Sequence, residues 1–307
     1  MTDPLKDSRM HLLIPHAGGP DPSCLHALSH LQLPQLGQLM ARWTATEAWQ
    51  AEEDGLYPPA ELALAAACGQ AEPTLAAWAA QQAALAWARV TPVHLAVGSD
   101  GVDMAPPHAL ELQDADWQDL ATVPAQLWPA DEGWTRQPHP EGGWLIGHAT
   151  ALDGLHAASL DRVAGGPIEP WLPHARVLKR WQNEAQMLLH ALPLNARRES
   201  EGKLPINSVW ISDIGRSDGA TPALRINSSL SRPWQEGDLA AWCEAWRRID
   251  ADTLPALLAA SARGESASLT LAGPRWARRF EPRPLGLLQR LRLSFSTPPA
   301  TPVLESL

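Results

Sequence analysis

The chain has little cysteine, little lysine and no long apolar run, and each shortage closes off a class of protein. Its three cysteines (Cys24, Cys68 and Cys243) are odd in number and form no CxxC pair. They offer neither a disulfide framework nor a zinc signature. No stretch approaches the roughly 20 apolar residues that span a bilayer. The charged N-terminus carries an apolar run too short for a secretory signal, so a cytoplasmic protein without membrane partners is expected. Lys and Arg number 24 against 34 Asp and Glu, giving a net charge of −10. That balance argues against nucleic acid, whose backbone requires clustered positive charge. There is no GxGxxG, GxSxG, HExxH or Walker sequence, and no cofactor is expected. One tyrosine and two phenylalanines stand against 15 tryptophans. With Ala, Pro, Gly and Arg plentiful, this skew fits a GC-rich coding sequence rather than an aromatic binding platform. Trp242 and Trp246, four apart on one helix face, are expected in a core.

What is present reads as a globular protein, at 307 residues and 45% hydrophobic content. HLLIP at 11–15 reads as a buried strand followed by a Gly18-Gly19 turn. Pro34 suits a first helical position, and Pro58 and Pro59 are expected to start a helix running to Cys68. The alanine-rich stretch from 73 to 89 reads as a helix, and strands are expected at 93–97, 108–113, 144–148 and 206–211. A long amphipathic helix covers 174–192, with Val177, Trp181, Ala185, Leu188 and Leu192 on one stripe. Helices at 238–248 and 252–263 precede a strand at 266–272, and a last helix is expected at 285–291. Strands separated by helices predict an α/β fold with a mostly parallel sheet flanked by helices. The expected organisation is a tail at 1–9, one domain over 10–295 with two lobes dividing near 150, and a flexible tail at 296–307.

The segment after the long helix concentrates polar chemistry. Asn195, Arg197, Arg198, Lys203, Asn207 and Ser208 lie within 14 residues of an acidic chain. Guanidinium groups hold phosphate or carboxylate through paired hydrogen bonds, and lysine adds a point charge. Read as a loop, the segment is a candidate site for a small anionic ligand. The structural alternative pairs the arginines with Glu184, Glu199 or Glu201 and uses the asparagines in turns. His26 and His30, with Cys24 and His16 nearby, have a spacing that can bind zinc. One such pair among 11 histidines is readily fortuitous, and no metal site is expected. The basic run Arg275, Arg278 and Arg279 reads as a solvated face.

Several blocks also carry a family resemblance. SLDRV at 159–163, QNEAQMLL at 182–189, LNARRESEGKLPINSVW at 194–210 and LTLAG at 269–273 resemble the RpfE-type regulatory proteins of proteobacteria. The Asn195-to-Asn207 pattern is also similar to a segment of the archaeal cofactor-independent phosphoglycerate mutases, metal enzymes of the alkaline-phosphatase type. The chain departs from those enzymes where their metal ligands stand. Pro15-His16 follows the first strand in place of an aspartate, and Pro274-Arg275 follows LTLAG in place of an acid and an imidazole. It departs from the regulatory family at Ser212-Asp213-Ile214-Gly215, where Ser-Gly-x-Gly is usual. The resemblance implies a phosphoglycerate mutase-like pseudoenzyme: a non-catalytic regulatory protein binding a small phosphorylated or acidic ligand, or an unknown protein partner. A metal-dependent phosphomonoesterase or mutase-like enzyme, and a pure interaction module, are the alternatives.

Overall fold

The computed structural model describes residues 10–99, 101–218, 224–284 and 299–307. Eleven strands are present among them: β1 (Met10–Ile14), β2 (Trp43–Gln50), β3 (Ala86–Val93), β4 (Leu95–Val97), β5 (Val102–Met104), β6 (Thr135–Pro138), β7 (Trp144–His148), β8 (Ser208–Gly215), β9 (Arg225–Ile226), β10 (Ala267–Ala272) and β11 (Trp276–Pro282). The chain forms two compact units. One comprises residues 1–53, 58–71 and 222–307, and the other residues 54–57 and 72–221. The chain therefore divides near 53–72 and at 221, not near 150.

The first unit holds a five-stranded sheet in the order β2-β11-β10-β1-β9. Strand β1 pairs in parallel with β10 and β9, whereas β11 runs antiparallel to both β10 and β2. Its core gathers Leu12, Ile14, Leu28, Leu39, Trp242, Trp246, Leu257 and Leu269. Asp250, on a π-helical turn (Ile249–Thr253), accepts the Gln35 and Leu36 amides at 3.1 and 2.8 Å. Those amides belong to the first turn of the Pro34–Arg42 helix, whose free donors need a partner.

The second unit is built on a four-stranded sheet, β6-β7-β3-β8, in which every neighbouring pair is antiparallel. One face packs Ala86, Ala88 and Val90 against the Arg176–Ala191 helix through Trp181, Ala185 and Leu189. By alternation along β3, Trp87, Arg89, Thr91 and Val93 occupy the other face. Gly147 makes room there for Trp87, since a Cβ would lie 2.9 Å from the indole ring.

The mostly parallel sheet is thus corrected, because among the described strands only the β10-β1-β9 triplet is parallel. Two of the differences come from elements whose sequence conceals them. Strand β3 (AWARVTPV) is alanine-rich at its start, yet it lies between two partners and is almost wholly buried. Burial between strands overrides alanine's helical preference; only Leu75–Ala80 of the expected 73–89 helix is helical. Strand β2 is exposed over most of its length and shows no apolar alternation. The expected strand at 108–113 is a short 3-10 turn, Pro107–Leu110. In the expected C-terminal tail, Thr301–Glu305 is helical, with Leu304 and Leu307 fully buried. The helix expected at 285–291 lies outside the described residues. No helix among the described residues is long and apolar enough to cross a membrane.

Candidate functional site

The polar segment at 195–208 is not a loop but begins as a helix, Pro193–Ser200, and its groups are engaged within the second unit. Arg198 is fully buried. Its Nη1 meets Asp116 Oδ2 at 2.7 Å, its Nε donates to the Leu204 carbonyl at 2.8 Å, and its Nη2 donates to the Leu110 carbonyl. Arg197 donates to Asp116 Oδ1 at 2.9 Å and to Asp119 at 2.8 Å. The acids that pair with these arginines come from the Asp114–Leu120 helix, not from Glu184, Glu199 or Glu201. Asp116 is buried, which opposes ionisation. The Gln113 amide and the two guanidinium groups outweigh that and hold its carboxyl below the usual range.

The amides are committed in the same way. Asn195 donates to the Ile206 and Leu189 carbonyls at 2.9 and 3.2 Å and accepts the Ile206 amide at 2.8 Å. Asn207 exchanges two 2.8 Å hydrogen bonds with the Leu95 main chain. The Ser208 hydroxyl accepts from Gln186 at 3.3 Å. Lys203 pairs with Glu201 at 2.7 Å. The donors expected to cradle an anion thus already have partners within the protein, and they tie a helix, the start of β8 and the Asp114–Leu120 helix together. Of the three cations, Arg198 is buried, while Arg197 and Lys203 retain partial exposure, at 40% and 20% of the side chain.

A second candidate lies at the carboxyl ends of the parallel strands in the first unit, where open α/β sheets hold ligands. His16 follows β1 in the left-handed region, at φ 56°. Its Nδ1 lies 3.1 Å from the Ser231 hydroxyl, and its main-chain oxygen accepts the Trp242 indole N–H at 2.9 Å. The space beside it is taken up by the chain itself. A Cβ on Gly18 would lie 2.4 Å from the Leu304 oxygen, and one on Gly273 would lie 2.7 Å from the Leu307 side chain. The Arg275 and Trp276 amides donate to the Leu307 main-chain oxygen at 3.1 and 2.7 Å.

His26 and His30 do face one another, edge to face at 5.1 Å between centroids. Cys24 is buried, and burial pushes its thiol up to about 11, away from the thiolate a metal requires. Among the described residues no group of three His, Cys, Asp or Glu is placed to hold a metal ion.

The sequence reading passed over a third cluster, on the face of the four-stranded sheet opposite the long helix. The β3–β8 register shifts between Trp87 and Arg89, which pair with Gly215 and Ser212. The extra residue forms a bulge, and within it Asp213 adopts φ 59° while 4% exposed. Burial raises its carboxyl to about 6, against the opposing pull of Arg89 and the Ser212 hydroxyl; Glu141 and Asp161 raise it further. Arg89 Nη1 reaches Glu141 at 3.3 Å, while its Nε and the Thr91 hydroxyl are buried without a hydrogen-bond partner among the described residues. His139 is lowered to about 4 by burial and by the Arg89 charge. The one sequence signal for this cluster was Asp213 in a position where the resembling family has glycine.

Neither a family model nor a curated protein matches the sequence. Among solved structures the chain is distantly similar to the cofactor-independent phosphoglycerate mutase from Thermoplasma acidophilum, with 13% identity over 91% of each chain and a TM-score of 0.34. It is also similar to the PH0037 protein from Pyrococcus horikoshii, with 12% identity over 89% of this chain and 87% of that one and a TM-score of 0.45. The RpfE-type resemblance rests on the sequence blocks alone.

Proposed function

We propose that this chain is a non-catalytic regulatory protein, of the kind its RpfE-type blocks resemble, that binds a small phosphorylated or acidic ligand. The observation that supports this reading is the packing of Leu304 and Leu307 against Gly18 and Gly273 at the carboxyl ends of β1 and β10. Side chains of the protein fill the place where an α/β enzyme would admit substrate. The Arg197–Arg198 segment serves on this view as scaffolding, because using it for a ligand would strand the buried Asp116 carboxylate.

The competing reading is a metal-dependent phosphomonoesterase, and the His16–Ser231 contact beside the same strand ends favours it. A hydroxyl held by an imidazole is the starting arrangement of nucleophilic catalysis. Thermal unfolding against a panel of phosphorylated metabolites, with and without Mn²⁺ or Zn²⁺, separates the two. A ligand at about 100 times its dissociation constant adds roughly 2.7 kcal/mol. A metal-independent shift without turnover is expected. Metal-dependent phosphate release that disappears in Ser231→Ala would overturn the non-catalytic reading.

A further inference from the structure

We propose that Arg89, Thr91, Ser212 and Asp213, with His139 beside them, form a binding site for a small oxyanion on the β3–β8 face of the second unit. The inference rests on the regulatory reading above and moves its ligand away from the 195–208 segment.

The chemistry follows from which hydrogen-bond capacities are left over. Arg89 and Ser212 are register partners on adjacent strands, so their Cβ atoms lie roughly 5 Å apart on one face. Thr91 lies two residues along β3 on that same face. The Thr91 hydroxyl, in a residue 6% exposed, and the Arg89 Nε are buried without partners among the described residues. Leaving such donors unmet forfeits their hydration without replacement, and buried unpaired groups in native folds call for a water, an ion or a function. The His139 Nδ1 accepts the Glu141 amide at 3.1 Å, so in the neutral ring its Nε2 carries the proton and is a further donor. A tetrahedral oxyanion accepts from guanidinium, hydroxyl and imidazole N–H together.

Asp213 gives the site its control. An ionised carboxylate there repels an anion, whereas its protonated form is one more donor. The charges facing it are Arg89 from β3, Glu141 from the β6–β7 turn and Asp161 from the short Leu160–Val163 helix. Its left-handed backbone is the kind of local strain that folds retain at functional positions. Occupancy of the site is thereby coupled to uptake of one proton.

Sulfate is the probe, because its charge does not change over the pH range of interest. Sulfate binding is measured by calorimetry on the full chain at pH 5.5 and 7.5. The wild type is expected to bind roughly tenfold or more tightly at pH 5.5, as a single carboxyl titrating near 6 requires. Arg89→Gln and Thr91→Val should each weaken binding at pH 5.5. Asp213→Asn, which mimics the protonated carboxyl, should bind at pH 7.5 as the wild type does at pH 5.5, with the pH dependence gone. Circular dichroism and unfolding midpoints establish that each variant is folded, and Asp213→Asn carries the test if the others are not. Sulfate affinity unchanged in folded Arg89→Gln and pH-dependent as before in Asp213→Asn would overturn the site. Metabolite binding that persists in these variants would sink the site while leaving the regulatory reading standing. Absence of sulfate binding at both pH values would also overturn it.

Discussion

Arg198 and Asp116 stand 82 residues apart in sequence and 2.7 Å apart in the fold, both buried. The pair joins the Pro193–Ser200 helix to the Asp114–Leu120 helix, and Arg198 closes two further carbonyls. Breaking a buried pair leaves an uncompensated charge, which costs about 3–5 kcal/mol. Arg198→Met should therefore destabilise the second unit by that amount in urea unfolding, with the far-UV spectrum of the native state retained. Removing both charges, as Arg198→Met with Asp116→Leu, should recover much of the loss. If Arg198→Met unfolds like the wild type, the residue's duty is not structural and the anion-cradle reading regains its ground.

His11 on β1 shares a 2.8 Å hydrogen bond with Thr270 on β10, and burial, aided by the Arg279 charge, lowers its imidazole to about 4. The unfolded chain takes up this proton near 6.5 and the folded chain only near 4. Between those values the unfolded state binds more protons, so stability rises with pH. The contribution is complete above about pH 6.5 and is lost progressively as pH falls to 4, on the order of 2–3 kcal/mol in all. Unfolding curves of wild type and His11→Gln should diverge in that window and run parallel above it. Parallel curves down to pH 4 would place the ring in contact with solvent.

Period and punctuation made much of the helical content legible. The stripe through Trp181, Ala185 and Leu188 lies on the Arg176–Ala191 helix, and Pro34 and Pro59 open helices at their first positions. Strand direction was not legible. Helices between strands suggested parallel crossovers, whereas β3, β7 and β8 pair antiparallel through long excursions that no local pattern records. The donor cluster at 195–207 was visible as composition. Its partners Asp116 and Asp119 lie some 80 residues upstream, and only the fold brings them into reach. The bulge at Asp213 was also hidden, because a positive φ at a non-glycine residue leaves no periodic trace.

Gly18 packs under the Leu304 main chain, a backbone neighbour that cannot rotate aside. Gly18→Ala would place a methyl group 2.4 Å from that oxygen, so strand ends or helix must move. Overpacking of this kind costs about 1–3 kcal/mol. Leu304→Ala, which empties a fully buried site, should cost about 2–5 kcal/mol. Gly166→Ala has open space around its Cβ and no positive φ and serves as a near-neutral control. The comparison is made by chemical denaturation midpoints. Equal midpoints for Gly18→Ala and Gly166→Ala would mean that the 301–307 segment is not held against the strand ends in solution.

Asp213 combines two costs that separate substitutions can tell apart. Its φ of 59° is a conformation that glycine adopts freely and that costs other residues about 1–3 kcal/mol. Its buried carboxyl, raised to about 6, adds a penalty with a definite sign. The folded state holds the proton more tightly than the unfolded chain, so stability falls as pH rises from about 3.8 to 6 and stays low above. Asp213→Gly removes both costs and should stabilise the second unit by about 1 kcal/mol or more at pH 7.5, after glycine's own entropic cost of about 0.5–1 kcal/mol. The gain should shrink at pH 4, where the carboxyl is protonated in the fold. Asp213→Ala keeps the strained backbone and removes only the charge, so its gain should vanish at pH 4 while that of Asp213→Gly persists in part. Loss of stability in both variants at pH 7.5 would mean that the ionised carboxylate is held by favourable interactions, and the proton-coupled account of the β3–β8 face would fail with it.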